Sequence, residues 1–385
     1  MKMFNTSYIE ISQSAYKNNI RYLRNIVGKD VRISSVIKGN AYGHGIGNII
    51  SLAERSGIRH FSVFSAGEAY ESFAVASEGT RIMIMGYLDD EELSWAIENG
   101  IEFFVFDWGR LEMAVDIAKR MGRKARLHLE VETGFHRTGF EYEELKKLAA
   151  YLNANLAHFE FEGLCTHFAG AESLANYLRI KNQLVQYRKF VRYLGRHGLH
   201  PAYRHTACSA AALTYPTTIM DMVRFGIAQF GYWPSPETHM FRFRKDTSKG
   251  DDLKRLLSWK SRVMVVKDVE AGQFIGYGSS FLANKKTRIA VIPVGYANGF
   301  SRSLSNTGRV LIRGRRVPVI GTVTMNTMTL NVTDVPGVEK GDEVVMVGKQ
   351  GRLSISIASF CEMSNQLNYQ LLTRLPPDIP RTLVK

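Results

Sequence analysis

The order of secondary-structure signals along the chain predicts an α/β fold: a (β/α)8 TIM barrel followed by a C-terminal, mostly-β domain. Two observations carry this reading. Between residue 33 and about residue 231, eight short β-rich runs alternate with helix-compatible stretches; after residue 255 the texture changes to alternating strands separated by Gly- and Pro-containing turns. Strand-helix alternation implies right-handed βαβ units and a parallel sheet, and eight units in about 200–250 residues suit a closed barrel. An open doubly wound sheet is the alternative. A chain of 385 residues allows two or three domains at about 150 residues each. The division falls at a barrel over 1–240 and a β domain over 241–385, with an N-terminal strand able to join the latter.

Taken in order, a helix opens after Ser12 as cap in SAYKNNIRYLRNIV, and the eight β-rich runs are 33–38, 60–65, 81–87, 102–107, 126–132, 162–167, 203–209 and 222–230. Between the last runs, LANYLRIKNQLVQYRKFVRYLGRHG carries apolar residues at three- and four-residue steps and ends in Gly198. The β domain reads VMVVKDVEAG, RIAVIPVGYANG, RVLIRGRRVPVIG, TMTLNVTDV and DEVVMVG. A run from Arg242 to Arg262, basic but broken by Asp246, Asp251 and Asp252, reads as a solvated linker.

With 45% apolar and 22% charged residues, the composition is that of an ordinary globular protein. The formal charge of +14 is compatible with nucleic acid, a membrane surface or small anionic ligands. No basic stripe interleaved with aromatics supports nucleic acid, and no run of about 18 apolar residues supports a membrane span. Cys165, Cys208 and Cys361 are odd in number and far apart, so neither a disulfide framework nor a CxxC metal site is expected. With no apolar core of signal-peptide length at the start, the expected location is the cytoplasm, with no metal, no nucleic acid and no membrane.

In a parallel barrel the chemistry sits at the carboxyl ends of the strands. Here those ends read KGNAYGHG from Lys38, ETGFHR from Glu132, His167, Ser209 and RFGI from Arg224. Lys38 ends the apolar stretch SSVI and is followed at once by Gly39, so its amine projects from a rigid element. A partly buried lysine near other cations has a lowered pKa and an available lone pair, the requirement for imine formation.

The segment VIKGNAYGHG resembles the pyridoxal-phosphate attachment motif of the alanine racemases. Further segments follow in that family's order: ETGFHRTGF, CTHFAG, CSAAAL, VRFGIAQFG, GYGSSF, VGYANGFSRSLSN, VTMNTMT and NYQLLTRLPPDIPR. The resemblance covers nearly the whole chain. It implies a pyridoxal 5'-phosphate enzyme that interconverts L-alanine and D-alanine with two bases, working as a homodimer whose active sites are completed across the interface.

Carried over residue by residue, Lys38 matches the lysine that bonds the cofactor and acts as one base. Tyr277 matches the second base, delivered by the opposite subunit. Two bases are needed because the α-proton leaves one face and a proton returns to the other. A phenol, ordinarily titrating near 10, needs neighbouring positive charge to act at neutral pH, and His167 and Arg224 match residues linking the tyrosine to the cofactor ring. Arg224 would face the pyridine nitrogen without giving it a proton, which disfavours side reactions such as transamination. Tyr42, Ser209, Tyr369 and the amides of Gly226 and Ile227 match phosphate ligands. Arg137 matches the arginine near the substrate carboxylate, where paired donors suit the ligand, and Met325 the position whose amide faces the same group.

Four positions depart from the family pattern. Glu130 stands where many members carry a carbamylated lysine, and is expected to brace Arg137 by a fixed salt bridge. Asn298 and Asn326 replace aspartates, and Thr322 lies where an arginine often lines the entrance. These losses of charge leave Lys38 and Tyr277 intact but open the substrate choice to serine, lysine or ornithine, because a pocket rejects an added methylene by only about 1–3 kcal/mol. A cofactor carrier without catalysis is a rival that has no use for Tyr277. A decarboxylase would call for a cysteine donor motif in the β domain, whereas Cys361 falls in SFCEMSNQ, a helix by pattern.

Overall fold

The structure, a computed structural model, describes residues 5–243, 253–357 and 368–385. Strand β1 (Ser7–Ser12) is followed by the helix Gln13–Val27, whose buried Tyr16, Ile20, Leu23 and Val27 keep the expected three- and four-residue steps. Eight strands come next: β2 (Arg32–Val36), β3 (His60–Val63), β4 (Arg81–Ile84), β5 (Glu102–Val105), β6 (Ala125–Glu130), β7 (Phe159–Cys165), β8 (Tyr203–His205) and β9 (Met222–Phe225). All pair in parallel, in the order β8-β7-β6-β5-β4-β3-β2-β9. Just past β8 a parallel bridge joins Cys208 to Arg224, and the Arg224 N–H donates to the Ala207 carbonyl at 3.0 Å. The two free edges are thereby brought together, so the sheet is a nearly closed barrel and not an open one.

Several strands end earlier than their β-rich runs, and the reason is local. Ser65 leaves the ladder to cap the helix Ala66–Val75, and Asp107 leaves it to cap Trp108–Met121, each accepting a backbone N–H. The carboxyl ends of the runs therefore form the rim. Within the barrel, side chains two residues apart, such as His60 and Ser62, Glu102 and Phe104, or His128 and Glu130, are all buried. Met83, Phe104, Cys165 and Met222 make one apolar cluster there. On the outer layer the helix Tyr177–Arg196 buries Ile180, Leu184, Tyr187 and Leu194, while Leu174–Asn176 forms a separate 3-10 turn ahead of it.

The remaining strands are β10 (Leu257–Arg262), β11 (Val265–Val269), β12 (Thr287–Ile292), β13 (Arg309–Ile312), β14 (Arg315–Ile320), β15 (Met328–Asn331), β16 (Glu343–Gln350), β17 (Leu353–Ile355) and β18 (Arg381–Val384). They form a second sheet in the order β11-β12-β15-β14-β13-β16-β10-β1-β18, with β17 on β16. β1 lies antiparallel to β10 and parallel to β18, so the N-terminal strand belongs to this sheet. The chain forms two compact units: one of Met1–Gln13, Tyr42–Asn48 and Leu256–Lys385, the other of Ser14–Ala41 and Ile49–Arg255.

One expectation needs correction. The final stretch of the basic run read as a linker is strand β10, because alternate residues Leu257, Trp259 and Ser261 are buried while Lys260 reaches Glu10 at 2.8 Å and Glu343 at 3.2 Å. Its charges are outward strand residues. The middle of that run, and Cys361, lie outside the described residues; Cys165 and Cys208 are free thiols. Among the described residues no helix is long and apolar enough to cross a membrane.

Candidate active site at the barrel rim

Lys38 begins an unusual segment. Gly39, Asn40, Ala41, Tyr42 and Gly43 all have positive φ, between 51° and 77°, making a left-handed turn directly after the strand end. Glu68 pins its start: one carboxylate oxygen accepts from the Gly39 N–H at 2.6 Å and the other from the Phe64 N–H at 2.9 Å. Position 43 must be glycine, since a Cβ there would lie 2.0 Å from the Leu372 carbonyl oxygen. From inside, Gln229 ties the strand ends together. Its amide donates to the Val36 and Phe225 carbonyls, and its oxygen accepts from Ser35 Oγ at 2.6 Å and Tyr16 Oη at 3.1 Å.

Lys38 as a whole is an exposed residue at the rim. Its pKa is nonetheless lowered, first by partial desolvation and then by Arg137 and Arg224, against an opposing pull from Glu68. Arg137 lies on a loop wound around Glu132, whose carboxylate accepts the backbone N–H groups of Gly134, Phe135, His136 and Arg137. The Arg137 guanidinium sits 4.4 Å from the Phe135 ring centre, and Phe135 packs edge-on against His167 at 5.5 Å. Burial, with the charges of Arg224, Arg137 and Lys38, pushes the His167 pKa down to about 3. His167 is therefore neutral.

Arg224 is buried and fixed by three acceptors: Nη1 donates to His205 Nδ1 and to the His205 carbonyl at 2.9 Å, and Nη2 to the Thr166 carbonyl at 3.0 Å. Ser209 opens the helix Ser209–Thr214, and its Oγ accepts from the Gly226 and Ala228 N–H groups at 3.0 and 3.5 Å. The Ile227 N–H occupies the first position of the turn Ile227–Phe230, where no intrahelical acceptor exists.

Glu130 does not make the expected ion pair with Arg137. Its carboxylate accepts from Thr138 Oγ1 at 2.7 Å, and burial raises its pKa. The reason is the loop: Glu132 holds the backbone of residues 134–137, and the Arg137 side chain lies over Phe135 instead of turning back to β6.

In the β unit, Tyr277 stands on a tight turn in which Gly276, Gly278 and Ser279 have positive φ; its carbonyl accepts from Thr322 Oγ1 at 3.1 Å, and Thr322 lies 3.0 Å from Ser280 Oγ. The Tyr277 side chain is 75% exposed and Met325 56% exposed. Tyr42 and Tyr369 bring their rings to 6.0 Å. Asn298 accepts from the Gly295 N–H, a local turn bond.

Sequence reading placed Glu132 at a strand end without a role and missed Gln229, Glu68 and Gln183, the last bonding the Thr133 hydroxyl, the His167 carbonyl and the Ala169 N–H. It also missed four groups deeper in the barrel, His60, Glu102, His128 and His205. Their signal was present as polar residues at alternate positions of β-rich runs. Three of them bring metal-type donor atoms within 4.8 Å of one another, but Glu102 is already engaged by both imidazoles and by Arg81.

Fold and rim together define a barrel protein that presents a lysine amine of lowered pKa near two arginines, with the Ile227 N–H at the start of a turn. The donor set of Lys38, Arg137, Arg224, Ser209 and the Ile227 amide fits a phosphorylated aldehyde cofactor. The alanine racemase N-terminal domain family matches residues 11–234 and the C-terminal domain family residues 256–383. The chain belongs to the alanine racemase family. It is 36% identical over 377 residues to the alanine racemase of Symbiobacterium thermophilum, covering 97% of this chain and 96% of that one. It is similar to the crystal structure of alanine racemase from D-cycloserine-producing Streptomyces lavendulae, with a TM-score of 0.90 and 29% identity over 100% of this chain and 98% of that one. A Bacillus anthracis alanine racemase with bound L-Ala-P gives 0.89 and 28%, covering 100% and 96%.

Proposed function

We propose that this chain is a pyridoxal 5'-phosphate-dependent racemase that interconverts L-alanine and D-alanine in the cytoplasm, as a homodimer with shared active sites. The observation that carries the reading is the Lys38 amine, held at a strand end with its proton affinity reduced by desolvation, Arg137 and Arg224. Bound pyridoxal phosphate supplies an electron sink that acidifies the α-hydrogen of an amino acid.

The chain's own residues do the rest. Lys38 would bond the cofactor and, once displaced by the substrate amine, move a proton at the α-carbon from one side. Tyr277 of the partner subunit would serve the other side. Ser209, the Gly226 and Ile227 amides, Tyr42 and Tyr369 would take the phosphate, while Arg224 and His167 would lie along the ring. Arg224 keeps its protons, and its three acceptors leave it little freedom to turn. Arg137 and the Met325 amide would hold the substrate carboxylate, the guanidinium supplying paired donors from its place 4.4 Å from the Phe135 ring centre.

A broader racemase acting on serine, lysine or ornithine is the second reading, favoured by Thr322: a short hydroxyl engaged with the Tyr277 carbonyl leaves an uncharged entrance. The deciding experiment measures the absorption band of lysine-bound cofactor and then racemisation across L-amino acids. Alanine turning over fastest, with the band absent in Lys38→Ala, supports the proposal. A protein that takes up no cofactor would sink it, and a faster rate on a larger amino acid would favour the second reading.

A further inference from the structure

A buried line of hydrogen bonds runs behind Arg224 through the barrel interior. Arg224 Nη1 meets His205 Nδ1 at 2.5 Å, His205 Nε2 meets His128 Nδ1 at 2.8 Å, and His128 Nε2 meets Glu102 Oε2 at 2.7 Å. His60 Nε2 reaches the same carboxylate oxygen at 3.0 Å, and its Nδ1 meets Ser34 Oγ at 2.9 Å. None of these residues is more than 5% exposed. The other Glu102 oxygen pairs with Arg81, which also pairs with Glu162.

The two ends fix the protons between them. A guanidinium only donates and a carboxylate only accepts. Arg224 thus requires a lone pair on His205 Nδ1, so the N–H of that ring sits on Nε2 and donates to His128 Nδ1. The N–H of His128 must then sit on Nε2 and donate to Glu102. Burial, reinforced for His205 by Arg224, lowers both imidazole pKa values and keeps the rings neutral. Glycine at 163 makes the ring-to-ring bond possible, since a Cβ there would lie 2.0 Å from His128 Nδ1 and 2.7 Å from His205 Nε2.

We propose that Glu102 is a positioning residue for Arg224: its carboxylate dictates the tautomers of His128 and His205, and so keeps a lone pair aimed at the guanidinium. The bearing of this on catalysis rests on the reading of Arg224 as facing the cofactor; the proton arrangement itself does not. In Glu102→Gln, Arg81 claims the amide oxygen, so the amide N–H groups face the two imidazoles. Both rings then invert, and an N–H of His205 is turned against Arg224.

The test is a proton–nitrogen correlation spectrum of the full chain, labelled at histidine and saturated with pyridoxal phosphate. Wild type should show His128 and His205 as neutral Nε2–H rings. Glu102→Gln should show both as Nδ1–H rings, with kcat lower by about tenfold or more, the value of one bond to a charged group, and the cofactor band retained. Gly163→Ala should lose the ring-to-ring coupling with no polar group changed. An Nδ1–H ring or an imidazolium in wild type overturns the proposal, as do unchanged tautomers in Glu102→Gln. If either variant does not fold, the wild-type spectrum alone decides. A wild type without the cofactor band would instead strike the functional reading, and its tautomers would still be judged in the same spectra.

Discussion

The two compact units hold their candidate residues in different ways. In the barrel, Arg224 is clamped by three acceptors, Ser209 by two backbone N–H groups, and the loop of Arg137 by four bonds to one carboxylate. In the β unit, Tyr277 and Met325 are fixed through their backbones, with side chains left to solvent. A charge set that must be tuned needs a surrounding low dielectric and fixed dipoles, and the barrel supplies both alone. A phenol presented on a turn, as Tyr277 is, can be placed accurately and still lack an environment until something covers it. That asymmetry is what a site shared between subunits would require.

The comparison breaks most directly at Lys38. Lys38→Ala should lower racemisation by about 10⁴-fold or more, since the proposed covalent anchor and one proposed base are lost together, with the cofactor band gone. Tyr277→Phe should cost about 10²-fold or more while keeping that band. Mixing and reassembling the two variants should restore part of the activity, because under the proposed shared site a hybrid dimer would contain one site with both groups intact. No recovery would mean that both groups come from one chain.

Gln229→Ala sharpens the contrast from the barrel side. It removes the acceptor shared by the Tyr16 and Ser35 hydroxyls, which still have each other, and the donor to two strand-end carbonyls. A stability loss of about 2–4 kcal/mol is expected in denaturant unfolding, at about 1–3 kcal/mol per orphaned group with partial relaxation. Weaker cofactor retention should accompany it.

The smallest effect separates two buried acids on adjacent strands. Burial raises Glu130, so its folded pKa exceeds the unfolded one and its contribution to stability falls as pH rises above the ordinary carboxylate range. Glu130→Gln should therefore raise Tm slightly at neutral pH, and not at about pH 4. Glu102 behaves oppositely. Desolvation raises its pKa, but His60 and His128 outweigh this and hold it well below the usual value, so its contribution is present above that range and is lost on acidification through the folded pKa. Thermal melts of both variants across acidic pH should slope in opposite directions relative to wild type.

Much of this was readable from sequence. Strand-helix alternation located every barrel strand because parallel strands are buried on both faces and read as apolar runs. The rim residues were readable because they follow those runs at once. What escaped were residues whose role is set by partners distant in sequence. Gln229 lies 193 residues from Val36, and Glu132 differs from Glu130 only in the loop that folds over it. β10 was hidden by charge, since its outward Lys260 and Arg262 look like part of a solvated run until Trp259 and Leu257 are seen inside.

The turn after Lys38 has one more consequence. Asn40, Ala41 and Tyr42 hold a backbone handedness that costs an L-residue about 1–2 kcal/mol each, and a residue of mirror-image configuration would adopt it without that penalty. Position 41 has no exposed surface, so a D-alanyl residue there would move its methyl within packed surroundings; at half-buried position 40, Asn40→Gly takes this handedness without the penalty and should melt no earlier than the natural chain.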